Sequence, residues 1–348
     1  MPAGPFHRIL LSRLRFMGDV ILTTPLIRQM RRLFPSAYLA YLTDERFAPL
    51  LENNPHLNDI ISAPTPTPGG FFQKATTTVQ FMKNLRRQKF DLAIDLFGNP
   101  RTALQCWVTG AATRVGGDFR GRRHLYTVRV PLDDRMRTAI DFHWRSLVAL
   151  GLPIGDNRTE VFLSEAERGW AKDYLKKEGV PANAPLVGLH PGATWPNKRW
   201  PAKKFSEVAQ RLISEGLHVV ITQGPGEQEF VQTVLQNLGR RQQSDITLLE
   251  VLNLRQLAAV LNRLDVYVAN DGGAMHLAVA VGTKTLGIFG PSQPEIWFPY
   301  SAEEGHLALI ESIECRPCHK NYCPLGTLAC LENLSPARVS KEILQRVG

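Results

Sequence analysis

No apolar run in this 348-residue chain approaches the roughly 18 residues needed to cross a bilayer, and Arg8 and Arg13 break the start before a signal-like core can form. A cytoplasmic protein is predicted, one that could still touch a membrane surface. Cysteine is scarce. Of five, Cys106 stands alone in an apolar stretch and reads as core, while the other four crowd near the end of the chain. There is no G-x-x-x-x-G-K-[ST], which argues against a P-loop ATPase, and no G-x-G-x-x-G after the first predicted strand, which argues against a Rossmann dehydrogenase. Nor is there a D-x-D carboxylate pair to hold a divalent cation on a diphosphate. Acidic residues are short in one half only. Residues 1–150 carry 21 Lys+Arg against 11 Asp+Glu, whereas 151–348 carry 20 against 21, so the net charge of +9 belongs to the first half. That asymmetry points to an anionic partner such as a phosphorylated substrate, a membrane surface or nucleic acid, or to a plain solvated basic face.

The hydrophobic pattern alternates short β-rich runs with longer helical ones, the signature of βαβ units and parallel sheets. In the first half, strands are predicted at 8–14, 38–43, 59–62 and 91–96, with helices over 20–34 and 76–87 and a Pro-rich loop over 63–70. A Gly/Pro-rich stretch at 151–157 interrupts the pattern, after which strands are predicted at 186–190, 218–222, 246–249, 265–269 and 284–289. Helices fall at 201–215 and 254–263, and a last one starts at Ser335 with Pro336 in its first turn. Two α/β domains follow, 1–155 and 156–348, with no internal sequence repeat. Doubly wound domains bind ligands beyond the carboxyl ends of their strands, so residues just after strands carry the functional interest.

Four segments lie there. Asp19, in RFMGD after the first strand, either presents a carboxylate to a ligand or merely caps the first helix. In HPGATWPNKRW (190–200), Thr194 offers a hydroxyl and Lys198 a charge for a phosphate, or Lys198 and Arg199 are a solvated pair. Glu227, in the glycine turn TQGPGE, suits ribose hydroxyls, although such turns also simply join strand to helix. Asp271, Gly272 and Gly273 open a helix whose amides can cradle a diphosphate, with His276 one turn further on; a cap and a packed core histidine are the plainer alternatives.

The order and spacing of RFMGDVILTTPLIRQMRRLFP, HPGATWPNKRWP and NDGGAMHLAVAVGTKTLGIFGPSQP resemble glycosyltransferase family 9, the ADP-heptose:lipopolysaccharide heptosyltransferases, over nearly the whole chain. The resemblance implies a GT-B fold, two Rossmann-like doubly wound domains facing a central cleft. It implies a nucleotide-sugar donor, ADP-heptose, held by the second domain and a lipid-linked saccharide acceptor held by the first. Inversion at the anomeric carbon would proceed without a metal or other cofactor. Asp19 matches the family's catalytic carboxylate and Lys198 the lysine near the donor phosphates. Asp271, Gly272, Gly273 and His276 match the nucleotide-binding turn, with Gly272–Gly273 where many members have Thr-Gly. Thr194 is expected at a phosphate and Glu227 at the ribose. The alternatives are an epimerase or transferase using another nucleotide-sugar, and a non-catalytic basic surface-binding protein.

Two further clusters lie outside those motifs. Arg120, Arg122 and Arg123, with Arg114 and Arg129, share a stretch with Gly116, Gly117 and Gly121 that reads as a flexible grip on the acceptor's anionic groups. Phe71 and Phe72 read as core, with contact to a lipid interface as the alternative. Cys315, Cys318, Cys323 and Cys330, spaced C-x₂-C-x₄-C-x₆-C, could hold a structural Zn²⁺.

Overall fold

The computed structural model describes residues 5–64, 71–118, 121–131, 137–238 and 245–347, with residues 71–74 described for their backbone only. The chain divides into two units, Met1–Phe162 and Leu163–Gly348. The boundary expected at 155 falls too early, because 156–160 is a strap on the first unit. Asp156 and Glu160 both pair with the buried Arg28, the latter at 2.7 Å. The Glu160 amide donates to Thr24 Oγ1 at 3.0 Å, and Trp144 Nε1 donates to Asn157 at 2.7 Å. A buried guanidinium requires such partners, and they lie in the stretch that composition marks as a linker.

In chain order the first unit holds β1 (Arg8–Ser12), α1 (Met17–Ile21), α2 (Thr24–Leu33), β2 (Tyr38–Asp44), β3 (Asp59–Ala63) and α3 (Phe71–Arg87). It continues with β4 (Leu92–Asp95), α4 (Pro100–Val108), β5 (Thr113–Gly117), β6 (Val128–Val130) and α5 (Ala139–Ala149). Its strands pair in parallel in the order β3-β2-β1-β4-β5-β6. Central strands are apolar on both faces, as Ile9, Leu10 and Leu11 are, because helices cover both sides. The single helix expected over 20–34 is two, α1 and α2. The hydroxyl of Thr23 turns back to the Val20 carbonyl and also meets Tyr41 Oη, each at 2.7 Å. Apolar periodicity runs through this break because both helices bury most of their apolar residues. The 114–129 stretch is also corrected, since most of it is ordered as β5, a short turn and β6. Gly116 makes room for the Tyr126 ring, which a β-carbon there would meet at 2.3 Å.

The second unit holds α6 (Glu165–Lys177), β7 (Leu186–His190), α7 (Ala202–Ser214), β8 (His218–Ile221), α8 (Gln228–Gln236), β9 (Ile246–Leu248) and α9 (Leu254–Leu261). After these come β10 (Val266–Asn270), α10 (Gly273–Ala280), β11 (Lys284–Ile288), α11 (Pro294–Trp297), β12 (Leu307–Leu309), α12 (Ala329–Glu332) and α13 (Pro336–Leu344). Its parallel sheet has the order β12-β11-β10-β7-β8-β9. Both sheets therefore reverse direction between their first and fourth strands, β1 and β4 in one, β7 and β10 in the other. Phe205, Val208 and Leu212 of α7 pack on β7 and β8, each contributing about 1.5–3 kcal/mol by burial. Ser335 caps α13 through Arg338 N, and Val339 and Ile343 close the same core. Among the described residues no helix is long and apolar enough to cross a membrane.

Candidate active-site residues

In doubly wound sheets the loops beyond the strand reversal form the binding crevice, because neighbouring loops there leave to opposite faces. In the first unit the β1 loop runs into α1 and carries Asp19 in its first turn. The carboxylate accepts from the Phe16 amide at 3.4 Å and pairs with Arg13 at 2.9 Å, both side chains nine-tenths covered or nearly so. Arg13 is itself fixed, donating to the carbonyls of Arg15 at 2.9 Å and Leu96 at 2.8 Å and lying over the Phe97 ring. Asp19 thus has a capping contact and a charge partner at once.

Beside it, at the end of β2, Asp44 is 1% exposed and faces three guanidiniums, Arg46 at 3.5 Å, Arg15 at 3.6 Å and Arg101 at 3.7 Å. Neither carboxylate oxygen makes a hydrogen bond. Three cations against one acid leave a positive surplus at the carboxyl edge of the first sheet. The sequence reading missed this group, although Arg15, Arg46 and Arg101 each follow a strand closely. Of the arginines it chose instead, Arg120 lies outside the described residues. Arg122 and Arg123 lie on the turn before β6, and Arg114 is tied to the carbonyls of Leu125 and Ala111.

In the second unit the reversal lies between β7 and β10. Lys198, in the loop after β7, meets Asp271, just past β10, at 2.6 Å; the carboxylate is 6% exposed and the ammonium about a quarter. Ser292 also donates to Asp271. Asp271 does not cap α10, whose N-cap is Gly272 without a side-chain bond. The cap alternative is therefore set aside: this acid holds the lysine. Asn270, not singled out from the sequence, stitches the two loops together. Its Nδ2 donates to the carbonyls of Pro191 (2.6 Å) and Gly192 (3.1 Å), and its Oδ1 accepts the Trp200 amide at 3.0 Å. Thr194 is exposed on the same loop.

Glu227 comes to this loop as well. It accepts the Gly224 amide at 2.7 Å and lies 3.4 Å from His190 Nε2, while His190 Nδ1 meets Thr222, whose hydroxyl meets Tyr267 Oη. Gly192 leaves room for this carboxylate, because a β-carbon there would lie 2.0 Å from the Glu227 carboxyl carbon and push the side chain aside. Burial pushes the His190 imidazole below its ordinary 6.5 despite the opposing pull of Glu227. His276 is buried, with Nδ1 2.6 Å from Tyr300 Oη.

The four late cysteines are free thiols around a small cavity of about 30 Å³. The expected Zn²⁺ finds no donor set: among the described residues no group of three or more His, Cys, Asp or Glu side chains could hold a metal ion. Cys330 packs in the second-unit core, while Cys315 is exposed. The segment braces the site instead. The Cys318 and His319 amides donate to the Pro291 carbonyl, Arg316 holds the carbonyls of Gly290 and Ser292, and Asn197 Nδ2 donates to Lys320 O at 2.5 Å.

Two Rossmann-like units, the second with a lysine, a buried acid and a helix N-terminus at its strand reversal, define a GT-B protein. The model of glycosyltransferase family 9 (heptosyltransferase) matches residues 78–329, and the chain belongs to that family. It is a glycosyltransferase using a nucleotide-sugar donor. It is 28% identical to lipopolysaccharide heptosyltransferase 1 of Pseudomonas aeruginosa and 26% identical to lipopolysaccharide heptosyltransferase 2 of Escherichia coli K12, with 97% of each chain covered in both cases. A solved family 9 glycosyltransferase from Veillonella parvula superposes with a TM-score of 0.84 at 27% identity, covering 97% of this chain and 96% of that one. The E. coli ADP-heptose lipopolysaccharide heptosyltransferase II shares the fold at a TM-score of 0.79 and 23% identity, with 97% and 98% covered.

Proposed function

We propose that the protein transfers a heptose from ADP-heptose to the inner core of lipopolysaccharide, inverting the anomeric carbon without a metal. The observation that carries the reading is the Lys198–Asp271 pair at the β7/β10 reversal, beside the start of α10. It is supported by the names of the relatives, which are lipopolysaccharide heptosyltransferases over nearly their full lengths.

The second unit binds the donor: Glu227 takes the ribose hydroxyls, while Lys198, Thr194 and the amides from Gly272 and Gly273 take the diphosphate. The first unit binds the acceptor, whose anionic groups meet Arg15, Arg46 and Arg101 together with Arg120, Arg122 and Arg123. An acceptor hydroxyl loses its proton to Asp19 and attacks the anomeric carbon from the face opposite the diphosphate. As the glycosidic bond to the diphosphate breaks, charge grows on the departing oxygen, and Lys198 and the helix amides stabilise that charge more than the ground state. The missing D-x-D assigns this task to fixed cations and dipoles.

Transfer measured in excess EDTA tests both parts. The wild-type rate should stay at its untreated value, and Asp19→Asn should lose about 10²–10⁴ of it. The fold should survive at a cost of up to about 3 kcal/mol, because the largely covered Arg13 loses its charge partner while Asn keeps an acceptor for the Phe16 amide and Arg13 keeps its two carbonyls. A near wild-type rate with a lower melting temperature would make Asp19 a cap only. Loss in EDTA restored by Mg²⁺ would end the metal-free mechanism.

A further inference from the structure

A groove of about 870 Å³ opens on the first unit between α3, α4 and the start of β5. Apart from Arg114, none of the residues discussed above lines it. Its floor is apolar, with Val79 and Met82 from α3 and Leu104 and Trp107 from α4. Three of these are large and unusually open for a folded protein: Val79 is 53%, Trp107 51% and Leu104 44% exposed. Scattered exposed apolar residues need no explanation, but a contiguous set in a concavity marks an interaction surface.

The rim is cationic. Lys83, Arg86 and Arg87 line it from α3 and Arg114 from β5, and no acidic side chain occurs among its described lining residues. One of the guanidiniums is held in place, and a second lies close against the backbone. Arg114 is fixed by the Leu125 and Ala111 carbonyls at 2.8 and 2.6 Å. Arg86 lies across Gly110, where a β-carbon would fall 1.3 Å from its Nη1. Arg86 and Arg87 also complement the carboxyl end of α3, a sufficient reason for basic residues in a last turn. That reason does not reach Lys83, one turn earlier, or Arg114, on a strand.

We infer that this face docks on the headgroup layer of an anionic phospholipid bilayer. The chemistry is complementary on both counts. Trp is favoured where an apolar ring meets polar headgroups, and clustered Lys and Arg are drawn to an anionic leaflet. Val79, Met82 and Leu104 provide apolar contact below the headgroups, while the four cations meet the phosphates. Docking would bring the acceptor unit to a surface bearing lipid-linked substrates. The inference rests on groove chemistry and not on which sugar is transferred.

The test is sedimentation of the full-length protein with vesicles of neutral phosphatidylcholine alone or with about one third phosphatidylglycerol, at low and high salt. No acceptor or donor is present, so failure here leaves the transferase reading untouched. The wild-type protein should partition at least about tenfold more onto the anionic vesicles at low salt, and lose that excess at high salt. Lys83→Glu should cost about tenfold or more in partitioning, and Trp107→Ser about fivefold or more. Both positions are exposed, and unchanged melting temperatures with unchanged ADP binding establish that the variants are folded. Equal partitioning onto neutral and anionic vesicles, or variants that bind like wild type, would overturn the inference. Displacement from vesicles by millimolar inorganic phosphate at constant ionic strength would also overturn it, leaving an ion site in place of a bilayer surface.

Discussion

His190 ends β7 with its imidazole buried between Thr222 and Glu227. If Glu227 binds the donor ribose, His190 is the residue that positions it, touching no substrate itself. His190→Gln keeps a polar end of similar reach, so it should raise the donor KM by about fivefold to tenfold, the worth of one buried hydrogen bond, and leave kcat within about twofold. Because burial holds the imidazole below 6.5, the wild-type donor KM should stay level as the pH falls from 8 to 6.5. An unchanged KM in the variant would mean that the Gly224 amide alone orients Glu227. The motifs made Glu227, Lys198 and Asp271 legible because each follows a strand. Asn270 and Ser292 were not, because their importance comes from which loops are neighbours in space. Arg13 was invisible as the partner of Asp19 because it precedes the turn that brings the two together.

The junction of α6 and α9 shows what one clasp between elements contributes. Ser164 caps α6 with Glu167 reaching back to its amide at 2.7 Å, and Arg255 at the start of α9 grips the same carboxylate through two nitrogens at 2.6 and 2.7 Å. The Arg255 hydrogen bonds pull the Glu167 carboxyl from its ordinary 4.5 to about 2. The folded state therefore releases this proton more readily than the unfolded chain. The stabilisation is complete above about pH 4.5 and is lost as the pH falls through about 2. Arg255→Gln should lower stability at neutral pH by roughly 1 kcal/mol and flatten the pH dependence of urea unfolding within that window. An equal slope in variant and wild type would show that the pair is idle. Long buried strands such as β7 and β10 were readable from their apolar runs. The short strands β5, β6 and β12 were not: β5 and β6 carry Arg or Gly, and the three residues of β12 give too little alternation to separate from a loop.

On the scale of the whole chain, charge is partitioned by unit. Residues 1–162 hold 22 Lys+Arg against 13 Asp+Glu, and residues 163–348 hold 19 of each. Screening should therefore act on one substrate only. Between about 50 and 300 mM salt the acceptor KM should rise several-fold while the donor KM changes by less than about twofold. Equal sensitivity of the two would place the acceptor's anionic groups elsewhere. The common strand order of the two sheets left no trace in the sequence, because a topology can be kept by any residues that preserve the pattern of burial. That shared order has an evolutionary consequence. Two hydrophobic clusters, drawn from 10–126 and from 187–343, each stay on one side of the division at Phe162 and Leu163. Substitutions inside one of these clusters leave the side chains of the other in place. A lineage could alter the saccharide it accepts by changing the first half while inheriting its donor site intact, and the division marks a natural seam for recombination between relatives.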